Sequence, residues 1–296
     1  MSESVSFNAD PHAIFGQLAP DDLAQLRYAK SLLEHPGLAT RITSIIGMPI
    51  EKGLARLPAS WSNKIGVVTE KALRKASNAA LYTLTDMPGK AASNRWHQFS
   101  VAVSGGVGGF FGLGALAVEL PVSTTIMLRS VADVARSHGE SISSEDTRRA
   151  CIEVFALGGK TQDDDAAESG YFAVRTVLAQ SITEAGRYVA EKGLAEQGAP
   201  IMVRLIAKVA KRFGVQVTEK MAAQAIPAIG AAGGAAINTL FMDHFQEMAQ
   251  GHFTVRKLER QYGAQVVRRV YEALPNEPRR GSRAKGASKT KSRPNL

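Results

Sequence analysis

The sequence holds a single cysteine, Cys151, which excludes an intrachain disulfide and makes a reducing compartment the expected setting. The opening MSESVSFNADPHAIFG has no basic cluster and no apolar run, so no secretory signal is expected and a cytoplasmic location follows. Alternating apolar and polar residues are nearly absent, with VAV at 101–103 the one serious strand candidate, which argues against the sheets that carry dinucleotide and hydrolase sites. Two long stretches lack charge altogether: residues 99–118 (FSVAVSGGVGGFFGLGALAV), closed by Glu119, and residues 221–242 (MAAQAIPAIGAAGGAAINTLFM), closed by Asp243. Glycine costs about 1 kcal/mol against alanine in a helix interior, so stretches this rich in it imply close backbone approach to another helix or to lipid. Pairs four apart, such as Gly105 with Gly109, would form the flat strip that such an approach needs.

What is present is helical periodicity. Asp21 and Asp22 sit where an N-cap belongs, and Leu23, Leu26, Ala29, Leu32 and Leu33 follow at helical spacing until His35, Pro36 and Gly37. A second helix is predicted through Ile65, Val68, Ala72, Leu73, Ala76, Ala80 and Leu84. Pro121 is expected to restart the chain as a first helical residue, and Ser143 with Asp146 forms a capping box ahead of the helix carrying Cys151. Another helix runs through Tyr171, Val174, Leu178, Ile182 and Tyr188, and another covers 200–213. Thr218 is expected to cap the second glycine-rich helix, kinked at Pro227, and a last pair breaks near Gly263 and ends at Leu274. The expected fold is an all-α, multi-helix bundle with the two Gly/Ala-rich helices at its centre. Its divisions are a flexible segment 1–20, a helical domain 21–274 and a disordered basic tail 275–296.

Charge follows that division. The net charge is +9, and the tail holds seven basic residues (Arg279, Arg280, Arg283, Lys285, Lys289, Lys291, Arg293) against Glu277, which leaves the body only +3. The tail therefore points to an anionic membrane surface, with nucleic acid as the disfavoured rival; oligomeric state is not legible.

Motifs for chemistry are incomplete. GGKT at 158–161 lacks the P-loop glycine at 154, where Val154 stands, and Gly112, Gly114 and Ala117 spell a dinucleotide fingerprint with no βαβ unit around it, so no cofactor is expected. AVSGG at 102–106 has the form of a nucleophile elbow that would expose Ser104, with Asp133 or Glu153 and His244 or His252 as partners. Asp243, His244, Glu247 and His252 are the candidate metal ligands, although an eight-residue histidine spacing differs from H-E-x-x-H. Core histidines and a small serine at a helix crossing are the plainer readings, so the balance is against an enzyme, with a serine or metal-dependent hydrolase as the alternative. Gly105, Gly109, Gly112, Gly230, Gly233 and Asn238 are structural or ligand-lining candidates. Glu119 and Asp243 are expected to pair with cations such as Arg129 and Arg256, because a carboxylate beside so apolar a segment is costly alone.

The succession AKSLLEHPGL, SGGVGGFFGLGALAVELPVSTTIMLRSVADVA, CIEVFALGG with DDDAAESGYFAVR, and AIPAIGAAGGAAINTLFMDHFQEMAQGHFTVRKLERQYG resembles the bacterial EcsC protein family over about residues 25–274. Glu119 departs from it, since many relatives have Asp before Leu-Pro; the charge is kept. The family takes its name from an operon shared with an ABC transporter, so the resemblance implies a membrane-transport partner and no established reaction. Together these readings describe a helical protein peripheral to the inner membrane that engages lipid.

Overall fold

A helix of 33 residues, about 50 Å long at 1.5 Å per residue, organises the molecule. The structure is a computed structural model that describes residues 14–34, 37–58, 60–81, 112–159, 170–191, 199–226 and 230–276. Within them ten α-helices and no strand occur. They are α1 Pro20–Leu33, α2 Leu38–Ile46, α3 Glu51–Leu54, α4 Trp61–Leu81, α5 Gly112–Ser137, α6 Glu145–Glu153, α7 Tyr171–Glu191, α8 Ala199–Gln224, α9 Gly230–Tyr262 and α10 Ala264–Ala273. A 3-10 turn at Val154–Ala156 follows α6 directly. The chain is thus the all-α bundle that its periodicity predicts.

The long helix α9 packs against α1, α2 and α5, while α8 lies against α4 and α7, and α4 against α5. From His244 to Val255 α9 buries most of its circumference, as a helix surrounded by neighbours must. Phe155 of the 3-10 turn meets Phe213 of α8 edge to face at 5.0 Å, and Phe245 of α9 completes the cluster 5.2 and 5.3 Å from the two rings. Gly251 shows why α1 can approach so closely: a β-carbon there would lie 2.7 Å from Leu33 and 3.1 Å from the Ala29 carbonyl.

Helix ends differ from expectation in four places. α1 starts at Pro20 with Ala19 as its cap, so Asp21 and Asp22 lie inside the first turn, where they complement the helix dipole. Pro121 lies within α5 and starts nothing. Its ring removes one donor to the Ala117 carbonyl, and Ala117 is exposed, so water can take that place. Ser144 is the cap residue of α6, without a side-chain cap bond, in place of the Ser143 box. Thr218 caps nothing: α8 continues past it to Gln224, and its hydroxyl bonds the Gly214 carbonyl inside the helix. The second glycine-rich stretch is accordingly divided between the end of α8 and the start of α9, and Pro227 lies outside the described residues. So do residues 99–111 of the first stretch, the strand candidate at 101–103 and the tail from residue 277.

Candidate functional site

The short helix α6 runs into the 3-10 turn and then into Leu157, Gly158 and Gly159, which lie between α8 and α9. The Leu157 carbonyl accepts from Gln216 Nε2 at 2.9 Å and from the His244 ring, while Arg212 donates to the Gly159 carbonyl at 3.2 Å. Gly158 has φ of 71°, and a β-carbon there would stand 2.5 Å from His244 Cε1 and 2.8 Å from Met248 Sδ. Only glycine satisfies both conditions. Burial, followed by the nearby Arg41 cation, holds His244 down to about 3, so its ring is neutral. With the ring proton directed at Leu157, Nε2 is left as an acceptor; neither it nor Gln216 Oε1 has a hydrogen-bond partner. Arg41 itself pairs with Glu247 at 2.8 Å. Glu219, on the same helix as Gln216, is raised by burial to about 7, against a hydrogen bond from the Ala39 backbone at the start of α2.

Two turns further along α9, His252 ends a chain of polar groups. Glu259 receives Arg175 through both guanidinium nitrogens at 2.7 and 3.0 Å, and Arg175 donates at 3.3 Å to the Tyr171 hydroxyl. That hydroxyl meets His252 Nδ1 at 2.9 Å. When Tyr171 gives its own proton to His252 Nδ1, the imidazole proton is on Nε2; that nitrogen has no hydrogen-bond partner. Burial holds His252 well below its ordinary value, and Arg175 and Arg256 add to the effect. Next to this chain, Glu140 receives Thr147 at 2.8 Å, Arg256 at 2.9 and 3.2 Å, and Arg260. Burial would raise the Glu140 carboxyl, but the Arg256 and Thr147 hydrogen bonds bring it below the usual range. Cys151 is fully buried and its thiol is pushed up, so it is no nucleophile. Both histidines are enclosed and neutral: the two clusters lock helices together and present no base to a substrate.

The residues proposed from sequence scatter on this frame. Ser104, Gly105 and Gly109 lie outside the described residues; Gly112 and Gly230 open α5 and α9, and Gly233 lies in the first turn of α9. His244 and His252 are eight residues apart, about 12 Å along the axis, and cannot share an ion. Asp243 is exposed while His244 is buried, and Glu247 is committed to Arg41; among the described residues no group of three metal-ligating side chains assembles. The cation for Glu119 is Lys220 at 2.7 Å, in place of Arg129, and Arg256 serves Glu140 and Asp146 in place of Asp243. The reason is length: Glu119 and Arg129 share α5, and Asp243 and Arg256 share α9, so about 15 and 20 Å of helix separate each pair. Asp133 is paired with Arg136, and Asn238 accepts from Gln224 at 3.2 Å. Sequence reading missed Arg41, Gln216 and Lys220, polar residues at core-facing positions whose partners lie on other helices.

On the outside, α5 carries an apolar ridge. Val118 and Val122, one turn apart, are 70% and 52% exposed, and Glu119 lies between them in the chain. No helix of the described residues is long and apolar enough to cross a membrane.

Compared with known families, the chain matches the EcsC protein family over residues 23–258. No curated protein and no solved structure matches it.

Proposed function

The chain belongs to the EcsC protein family, and on that premise we propose that it is a membrane-associated helical protein, bound from the cytoplasmic side of the inner membrane, that engages lipid through the outer face of α5. The observation that carries this reading is the exposure of Val118 and Val122 on the helix that continues the uncharged stretch 99–111. Two valines leaving water contribute about 1.5 kcal/mol or more each, and anchoring generally needs a second signal. The seven basic residues of 279–293 supply one, at roughly 1 kcal/mol each near an anionic leaflet. A membrane-transport protein as partner fits the same location.

Sedimentation with vesicles of phosphatidylglycerol and phosphatidylethanolamine tests it. The wild-type chain should pellet, the Val118→Asp/Val122→Asp variant should pellet less with unchanged helical circular dichroism, and wild-type protein that stays in the supernatant sinks the reading. The hydrolase alternative has its own assay. It requires Ser104 to react with a fluorophosphonate probe, and we expect no labelling, because the α9 histidines that could activate it are enclosed.

A further inference from the structure

A single line of residues runs along the outside of α5. At about 100° per residue Val118, Val122, Thr125 and Arg129 fall within about 60° of arc, and Arg129 is exposed like the two valines. Thr125 gives its hydroxyl proton to the Pro121 carbonyl at 2.7 Å, so it brings no unpaired polar group to the line. Further on, the same line passes through Ala132 and Arg136, both buried in the bundle. Its open part therefore ends at Arg129.

Charge marks the same place. Residues 99–128 hold no cation, and their one acid, Glu119, lies about 100° round the helix from Val118 and is held by Lys220. Arg129 is thus the first charge that this face presents. Among the described residues no carboxylate pairs with it, and Asp133, one turn on, is engaged by Arg136. An open guanidinium is a planar fork of donors that matches a phosphate. Along the axis it stands about 10 Å from Val122 and about 16 Å from Val118. A helix tilted by about 30° would set those valines about 5 and 8 Å deeper than Arg129, within the roughly 5–10 Å by which interfacial helices bury their apolar faces.

We propose that Arg129 is the phosphate-binding residue of the membrane contact: its guanidinium holds the phosphate of a phospholipid headgroup while Val118 and Val122 sink below it, so that α5 meets the surface obliquely with its Gly112 end leading. A cation at the end of an exposed apolar line matches a surface whose charged headgroups stand over an apolar layer. This inference rests on the membrane reading above and adds the lipid-binding residue and the tilt of the helix.

The test uses the full chain and vesicles of phosphatidylglycerol with phosphatidylethanolamine. Arg129→Gln should lower partitioning about fivefold, the worth of one basic residue at the surface, with Tm unchanged. Arg129→Lys, which keeps the charge and loses the fork, should fall between that variant and wild type. The control Arg269→Gln removes one exposed cation of α10 and should lose less than about twofold. Because Cys151 is buried, an environment-sensitive thiol probe marks Val118→Cys alone, and its emission should shift to the blue on binding. Equal losses in Arg129→Gln and Arg269→Gln would show that net charge alone acts, overturning the role of Arg129 and leaving membrane association standing. A probe at 118 that stays in water on vesicle-bound protein overturns the tilt and the proposal with it. A wild-type chain that ignores the vesicles overturns the membrane reading and this inference together.

Discussion

Lys220 and Glu119 meet at 2.7 Å with only 6% and 10% of their side chains exposed, and the Lys220 ammonium also lies 5.0 Å over the Phe241 ring. One ion pair thus ties α5, α8 and α9 together. Its worth lies in the penalty for breaking it, because desolvated charges are expensive alone.

Replacing Lys220 with Met should therefore destabilise the protein by about 3 to 5 kcal/mol, by leaving Glu119 charged and enclosed. Adding Glu119→Gln should recover much of that loss. Chemical denaturation of the two single variants and the double gives the coupling, and strictly additive losses would mean that the two groups are independent.

His244 and His252 bind a proton readily when unfolded and poorly when folded. Their native values lie below the ordinary 6.5, so the stability they confer is complete above that pH and drains away as pH falls toward about 3 for His244. Each should contribute a slope of about 1.4 kcal/mol per pH unit across that window. His244→Gln should remove one histidine's share of the slope between pH 6 and about 4, measured by urea denaturation at several pH values.

Glu219 acts in the opposite sense. Its folded value, about 7, is raised above that of an unfolded glutamate, so its contribution is complete below about 4.5 and is lost as pH rises through 7. Glu219→Gln keeps an acceptor for the Ala39 amide. The variant should match wild type near pH 4.5 and be the more stable above pH 7; a wild-type advantage at alkaline pH would contradict the assignment.

Gly158→Ala should cost more than a glycine replacement ordinarily does. The new methyl meets His244 at 2.5 Å on a backbone with φ of 71°, a combination that neither relaxation of the ring nor of the chain alone relieves. A fall of several degrees in Tm is expected, and combining it with His244→Ala should restore part of it.

Helices with a strong apolar stripe, such as α4 and α7, were legible from spacing alone, and so was the break at Gly263. The helix α2 was not: Leu38–Ile46 is short, follows a Pro-Gly stop, and owes its place to Leu38 and Ile42 packing below and Glu219 meeting the Ala39 amide. Thr218 read as a cap because threonine competes for backbone bonds, but Gln216, Val217 and Lys220 are buried on both sides of it and carry the helix onward. Ion-pair partners were the least legible feature. Spacing along one helix says which carboxylates need a cation, while the identity of that cation, Lys220 or Glu140's two arginines, depends on how separate helices cross.

Lys30 donates to the carbonyls of Tyr271 and Leu274 at 2.8 and 2.6 Å, so the first helix closes the end of the last across 244 residues. On a ribosome adding 5 to 20 residues per second, between about 12 and 50 s separate synthesis of that lysine from synthesis of its acceptor. Until α9 is made the buried side of α1, with Leu26, Leu32 and Leu33, has no mate, and the Lys30 clasp comes only with the end of α10. The first helix therefore waits for the last two before its apolar side is covered and its lysine is bound.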